Sequence, residues 1–203
     1  YKIPLDKELI FSVGRAVDYK GFDLLIESVS KMESDTHLVF VASPYKTESS
    51  NVNELRNLLN KVDISVTPIF DLDFELPKFI SQWKNTKIVA QLSRREPFGL
   101  VPEEVRMWGR GGGAVPLVSN RDGYKEQIDD GVDGFVVDID NIDVIVSKLD
   151  SIMDKFEKEL EKIRDNGYRR VVGEYDYRDS IYGSILGLLG GNKTENIKWN
   201  LEK

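Results

Sequence analysis

The sequence predicts an α/β fold: a doubly wound, mostly parallel six-stranded sheet with helices on both faces. Three observations carry that prediction. Short apolar runs rich in β-branched residues recur along the chain. Between them lie segments whose apolar residues return every three or four positions, the mark of a helix with one buried face. Finally, 203 residues with 40% hydrophobic and 31% charged side chains have the balance of one globular domain with a sizeable core.

The first strand is Leu9 to Val13, ending at Gly14. Residues 21–33 then place Phe22, Leu25, Ile26, Val29 and Met32 on one helical face. A second strand, 37–43, leads through a polar loop, 44–51, to a helix over 52–62. Residues 64–70 read as the third strand, and Pro68, which cannot donate to a ladder, assigns it to a sheet edge or strand end. A helix over 74–85 precedes the fourth strand, 87–93, which runs straight into REPFGLVPEE, residues 95–104. The next helix, 101–110, stops at three glycines, 111–113, before a fifth strand at 114–119. A short helix at 124–131, a sixth strand at 133–138, and one long or two abutting helices over 142–167 follow. A last helix, 176–191, and a polar tail, 192–203, complete the chain.

Charge and composition exclude several functions. Lys and Arg number 28 against 35 Asp and Glu, and a net charge of −7 opposes nucleic-acid or anionic-membrane partners. There is no apolar run of the roughly 18 residues a transmembrane segment needs. The absence of cysteine removes a disulfide framework and a thiolate zinc site. With one histidine, His37, a transition-metal site would rest almost entirely on carboxylates, and none is assigned. His37 reads as structural, and neither Ser12 nor Ser119 has a histidine base beside it for nucleophilic catalysis. The chain begins at Tyr1 directly before a strand, which suggests a missing N-terminal partner domain.

In doubly wound sheets ligands lie beyond the carboxyl ends of the strands. Two loops fall there. GRAVDYKG, residues 14–21, carries Arg15 and Lys20, a planar fork and a point charge suited to a diphosphate; the same charges also fit an ordinary solvated loop. REPFGLVPEE offers the amides of Gly99, Leu100 and Val101 at a helix N-terminus, an anion site. Its carboxylates, Glu96 and Glu104, suit ligand hydroxyl donors, although Glu104 in a first helical turn equally suits the helix dipole. Asp129, Asp130 and Asp133 read as turn and surface residues.

Three segments in order, GRAVDYKGFDLLIE, EPFGLVPEE and VPLVSNRDGYKEQIDDGVDGFVV, resemble the C-terminal, donor-binding domain of GT-B glycosyltransferases of retaining family 4, the glycosyl transferases group 1. The resemblance implies a Rossmann-like, nucleotide-sugar-binding domain over 1–175, with helix 176–191 crossing to the absent N-terminal half. It implies catalytic roles for Arg15 and Lys20, on the donor diphosphate and leaving group, and for Glu96, on the donor hexose. The amides of Phe98, Gly99, Leu100 and Val101 would meet sugar hydroxyls and phosphate, and Glu104 the ribose. The implied substrate is a UDP- or GDP-type sugar, transferred with retention and without cofactor or essential metal. A saccharide or other small-molecule acceptor, and any peripheral membrane contact, would belong to the absent half of a cytoplasmic enzyme. A non-catalytic nucleotide-binding module and another GT-B enzyme, a sugar epimerase or phosphorylase, are the alternatives. The sequence departs from the family at Asp122–Gly123, where a glycine pair is usual, which predicts a less close backbone approach there.

Overall fold

The computed structural model describes residues 2–44, 50–71 and 73–174. Its strands are β1 (Glu8–Arg15), β2 (Thr36–Ser43), β3 (Val66–Ile69), β4 (Thr86–Gln91), β5 (Val115–Ser119) and β6 (Phe135–Val137). They form one sheet in the order β3-β2-β1-β4-β5-β6, parallel at every pairing. The helices among the described residues are α1 (Phe22–Val29), α2 (Ser50–Leu59), α3 (Leu76–Gln82), α4 (Leu100–Trp108), α5 (Tyr124–Gln127), α6 (Ile142–Met153) and α7 (Glu157–Glu174).

Alternate residues of the central strands serve opposite faces. Ile10, Leu38, Phe40 and Ile88 pack with Leu25 and Ile26 of α1, Leu55 of α2 and Leu149 of α6. On the other face Leu9, Phe11, Val39, Val41 and Val89 meet Ile80 of α3 and Val105 of α4. Strands covered on both sides need apolar residues at successive positions, which is why they read as continuous apolar runs.

Pro68 pairs opposite Phe40 in β3, an outer strand of the sheet, where a missing ladder donor is tolerated. The long segment 142–167 resolves into two helices, α6 ending at Met153 and α7 starting at Glu157. The short helix expected over 124–131 ends instead at Gln127, and just beyond it the amide of Asp129 donates to the Asp133 carboxylate at 2.8 Å. Asp133 itself corrects a sequence expectation. It is buried, because Arg106 of α4 and Arg170 of α7 converge on its carboxylate at 2.6 and 2.9 Å. The last helix, 176–191, and the tail lie outside the described residues. No described helix is long and apolar enough to cross a membrane.

The chain leaves β1 toward β2 on one side of the sheet and β4 toward β5 on the other. The crevice between the carboxyl ends of β1 and β4 is therefore the topological switch point. The two loops singled out in the sequence flank it.

Candidate functional site

The loop after β1 makes a single 3₁₀ turn, Asp18–Lys20, and then Gly21 with φ 69°. A side chain at Gly21 would be strained by that left-handed backbone and would strike the Leu92 carbonyl at the end of β4. Glycine is what lets the two loops touch. Arg94, just past β4, fastens them: its amide donates to the Tyr19 carbonyl at 2.7 Å and its guanidinium to the Asp18 carbonyl at 2.7 Å.

With the loops fixed, Lys20 and Glu96 form an ion pair across 76 residues of sequence. Their side chains are only 16% and 14% exposed, so water screens the pair weakly. An ammonium has three donors, and the bond to Glu96 leaves two for an incoming anion. Arg15 is exposed and donates to the Tyr19 hydroxyl at 2.5 Å. The Arg15 guanidinium and the Lys20 ammonium lie 6.0 and 5.9 Å from the Tyr19 ring centroid, so one aromatic ring orients both cations.

The N-terminus of α4 borders the same crevice, with Gly99 as its N-cap. The Gly99 amide is not free for a ligand, as the sequence reading had it. It donates to Oε1 of the buried Gln127 at 3.3 Å, while Gln127 Nε2 donates back to the Gly99 carbonyl at 3.0 Å. The first amides of α4 proper, those of Leu100 and Val101, have no intrahelical acceptor by helix geometry, and Pro102 has no amide hydrogen. The Phe98 and Leu100 side chains are exposed at this edge. Beneath Gly99 the ring of Tyr124 is fully buried, and burial pushes its hydroxyl above the ordinary phenol range.

The two adjacent glutamates of α4 take different environments. Glu103 is buried, ion-paired with Arg106 and bonded by Gln127 Nε2 at 3.0 Å. Glu104 is half-buried and has no hydrogen bond or ion pair to any described residue; burial alone pushes its carboxyl above the usual range. A carboxylate partly stripped of water and with no partner among the described residues is suited to hydroxyl donors from a ligand.

The loop after β5 closes the site. Asp122 has φ 44°, a left-handed conformation that Asp adopts more readily than most residues. Its Oδ2 accepts the Glu96 amide at 2.9 Å, and the Gly123 amide donates to the Glu96 carbonyl at 3.1 Å. Gly123 packs so tightly on Pro97 that a methyl group there would overlap the Pro97 carbonyl. The looser approach expected from aspartate in place of glycine is therefore corrected: Asp122 supplies both the backbone conformation and a hydrogen bond.

Arg15, Lys20 and Glu96 thus meet at the crevice beside the N-terminus of α4. Tyr19, Arg94, Asp122 and Gln127 escaped the sequence reading. Only Asp122 carried a signal, the departure from a glycine pair. Among the described residues, no group of three or more histidines or carboxylates is gathered to hold a metal ion.

The fold defines one class, the doubly wound, Rossmann-like half of a GT-B fold. The chain belongs to the family of glycosyl transferases group 1, whose model matches residues 1–170. It is 25% identical over 154 residues to granule-bound starch synthase 1 of Arabidopsis thaliana, covering 74% of this chain and 24% of that protein. It is 27% identical over 135 residues to D-inositol 3-phosphate glycosyltransferase of Mycolicibacterium paratuberculosis, covering 66% of this chain and 30% of that protein. The chain thus spans less than a third of either relative. Among solved structures, Anabaena HepE in complex with UDP and glucose superposes with a TM-score of 0.76 at 18% identity, over 91% of this chain and 48% of that one. The C-terminal domain of a glycosyl transferase group 1 family protein, LpcC of Francisella tularensis, gives 0.66 at 23% identity over 87% and 89% of the two chains. At such identities these structures establish the fold.

Proposed function

We propose that this chain is the donor-binding half of a retaining, family 4 glycosyltransferase that transfers a sugar from a UDP- or GDP-type donor to a saccharide or other small-molecule acceptor held by another domain. The observation that carries the reading is the Lys20–Glu96 ion pair at the switch point, together with Arg15 on the same loop as Lys20, the α4 N-terminus, and Glu104, which has no partner among the described residues. Arg15 and Lys20 hold the diphosphate and stabilise the negative charge that grows on it as the glycosidic bond breaks. The amides of Leu100 and Val101 add fixed dipoles for the same anion. Glu96, oriented by Lys20, accepts hydrogen bonds from hexose hydroxyls, and Glu104 from the ribose. Two cations and a helix N-terminus supply this charge stabilisation from the protein's own groups, which supports transfer without an essential metal.

Calorimetric titration of the chain with UDP, GDP and ADP tests the reading. At least one nucleotide binds, and Glu104→Ala weakens it about tenfold, the loss of one hydrogen bond to a charged acceptor. Failure of all three nucleotides to bind would sink it.

A further inference from the structure

The peptide of Glu96 is held on both polar atoms by one loop: its amide by Asp122 Oδ2 at 2.9 Å and its carbonyl by the Gly123 amide at 3.1 Å. Arg95 and Pro97, which flank Glu96 in sequence, are exposed, and the contact there is the close approach of Gly123 to the Pro97 backbone, made by the same loop. The gripping loop is itself anchored. The Asn120 amide donates to the Val137 carbonyl at 2.8 Å, and Arg121 is ion-paired with Asp140 beyond β6. Arg94 holds the Lys20 side of the ion pair independently, through the Asp18 and Tyr19 carbonyls. Among the described residues Asp122 is the one non-glycine residue with positive φ. Glycine would make that turn more easily, but it would leave the Glu96 amide without its acceptor.

We propose that Asp122 is a positioning residue for Glu96: its carboxylate fixes the Glu96 backbone, and so sets the reach of the Glu96 carboxylate past Lys20 to the donor sugar. This rests on the donor-binding reading above. Asp122 touches no ligand in this role and acts through Glu96.

Two substitutions separate the cap from the turn. Asp122→Gly keeps the backbone conformation and removes the acceptor. Asp122→Asn keeps both, because asparagine tolerates the left-handed region and its amide oxygen still accepts. Two measurements on the 203-residue chain decide the matter. The first is hydrogen exchange of the Glu96 amide by NMR, which needs no ligand. Asp122→Gly is expected to speed exchange about tenfold, the loss of one hydrogen bond, and Asp122→Asn, which keeps a neutral acceptor, to stay closer to wild type than to Asp122→Gly. The second is the affinity gained when UDP or GDP is replaced by its hexose conjugate. Asp122→Gly loses that gain with the affinity for bare nucleotide unchanged, and Asp122→Asn restores it. Wild-type exchange at Glu96 or an intact hexose gain in Asp122→Gly would overturn the proposal, as would failure of Asp122→Asn to restore either. If the wild-type chain binds no nucleotide, the donor reading fails, and the exchange measurement still decides whether Asp122 holds Glu96.

Discussion

Arg94 closes on Asp23 with both arms of its guanidinium, 2.9 and 2.6 Å from the two carboxylate oxygens, across 71 residues of sequence. The same side chain bonds the Asp18 carbonyl, so one residue beyond β4 holds the loop that carries Arg15 and Lys20. Lysine has no planar fork and cannot reproduce this. Arg94→Lys is expected to cost about 1 kcal/mol of stability, modest because the side chain is 34% exposed. Nucleotide affinity should fall further than stability does, because the cations lose their placement. Urea unfolding and nucleotide titration on the same samples check this; an unchanged affinity would show that the clamp is not needed for the site.

Glu104 is expected to trade stability for binding. Burial raises its carboxyl in the folded chain, so the folded state binds its proton more tightly than the unfolded state. The stabilising effect of that protonated form is complete below the unfolded value of 4.5 and is lost as pH rises through the higher folded value. Glu104→Gln should therefore be more stable than wild type at neutral pH, with the difference vanishing in acid. Its nucleotide affinity should be weaker throughout. Urea midpoints between about pH 4 and pH 8 measure the first effect, and titration the second.

Much of the fold was legible because its signals are local. Runs such as Leu9–Val13 and the spacing of Phe22, Leu25, Ile26 and Val29 declare strand and helix without knowledge of their partners. The rule that ligands lie beyond the carboxyl ends of the strands then put the two loops that carry Arg15, Lys20 and Glu96 at one edge of the sheet, and the resemblance singled out those three residues. What stayed hidden depends on approach in three dimensions. Asp133 sits beside Asp129 and Asp130, all of which look solvated, and it is buried only because arginines 27 and 37 residues away arrive from α4 and α7. Gln127 gave no sign of gripping Gly99, since a neutral amide can face water equally well.

Gly99 is expected to tolerate no side chain. A methyl group there would overlap the ring of Tyr124, which is 1% exposed and has nowhere to move. Gly99→Ala should cost about 1 to 3 kcal/mol from overpacking and weaken nucleotide binding by displacing the α4 N-terminus. Thermal unfolding reads the first. Adding Tyr124→Leu should recover part of the lost stability, and strict additivity of the two changes would rule out the steric account.

His37 should act as a stability switch near neutral pH. Its Nδ1 lies 2.8 Å from the Ser65 hydroxyl and its Nε2 2.8 Å from the Thr67 hydroxyl, which in turn donates to the Lys2 carbonyl at 3.1 Å. Thr67 therefore accepts from Nε2–H, Ser65 donates to Nδ1, and the neutral ring satisfies both. Burial, then the charge of Lys7, holds the folded value below the ordinary 6.5. The contribution is present above 6.5 and lost as pH falls through the folded value. In His37→Gln this part of the pH dependence should disappear, measured as the slope of the urea midpoint between about pH 7.5 and pH 5.5.

Arg106 ties the helix that presents the candidate site to the rest of the domain. Its side chain is fully buried, ion-paired with Glu103 and Asp133, and donates to the Gln127 carbonyl at 3.0 Å. Arg106→Met keeps much of the volume but leaves two carboxylates in the interior with Arg170 alone to compensate Asp133. Removing one member of a buried ionic cluster costs about 3 to 5 kcal/mol. The loss should depend on pH in a particular sense. Burial already raises the Glu103 carboxyl against the pull of Arg106, so without the guanidinium it rises further. The variant is then most stable in mild acid, where Glu103 is protonated, and weakens as pH rises. Adding Glu103→Gln should restore stability at neutral pH and flatten that slope, because the amide needs no counter-charge. If Arg106→Met shows the wild-type pH profile, Glu103 is not the group that needs Arg106, and the loss must come from Asp133 or from packing.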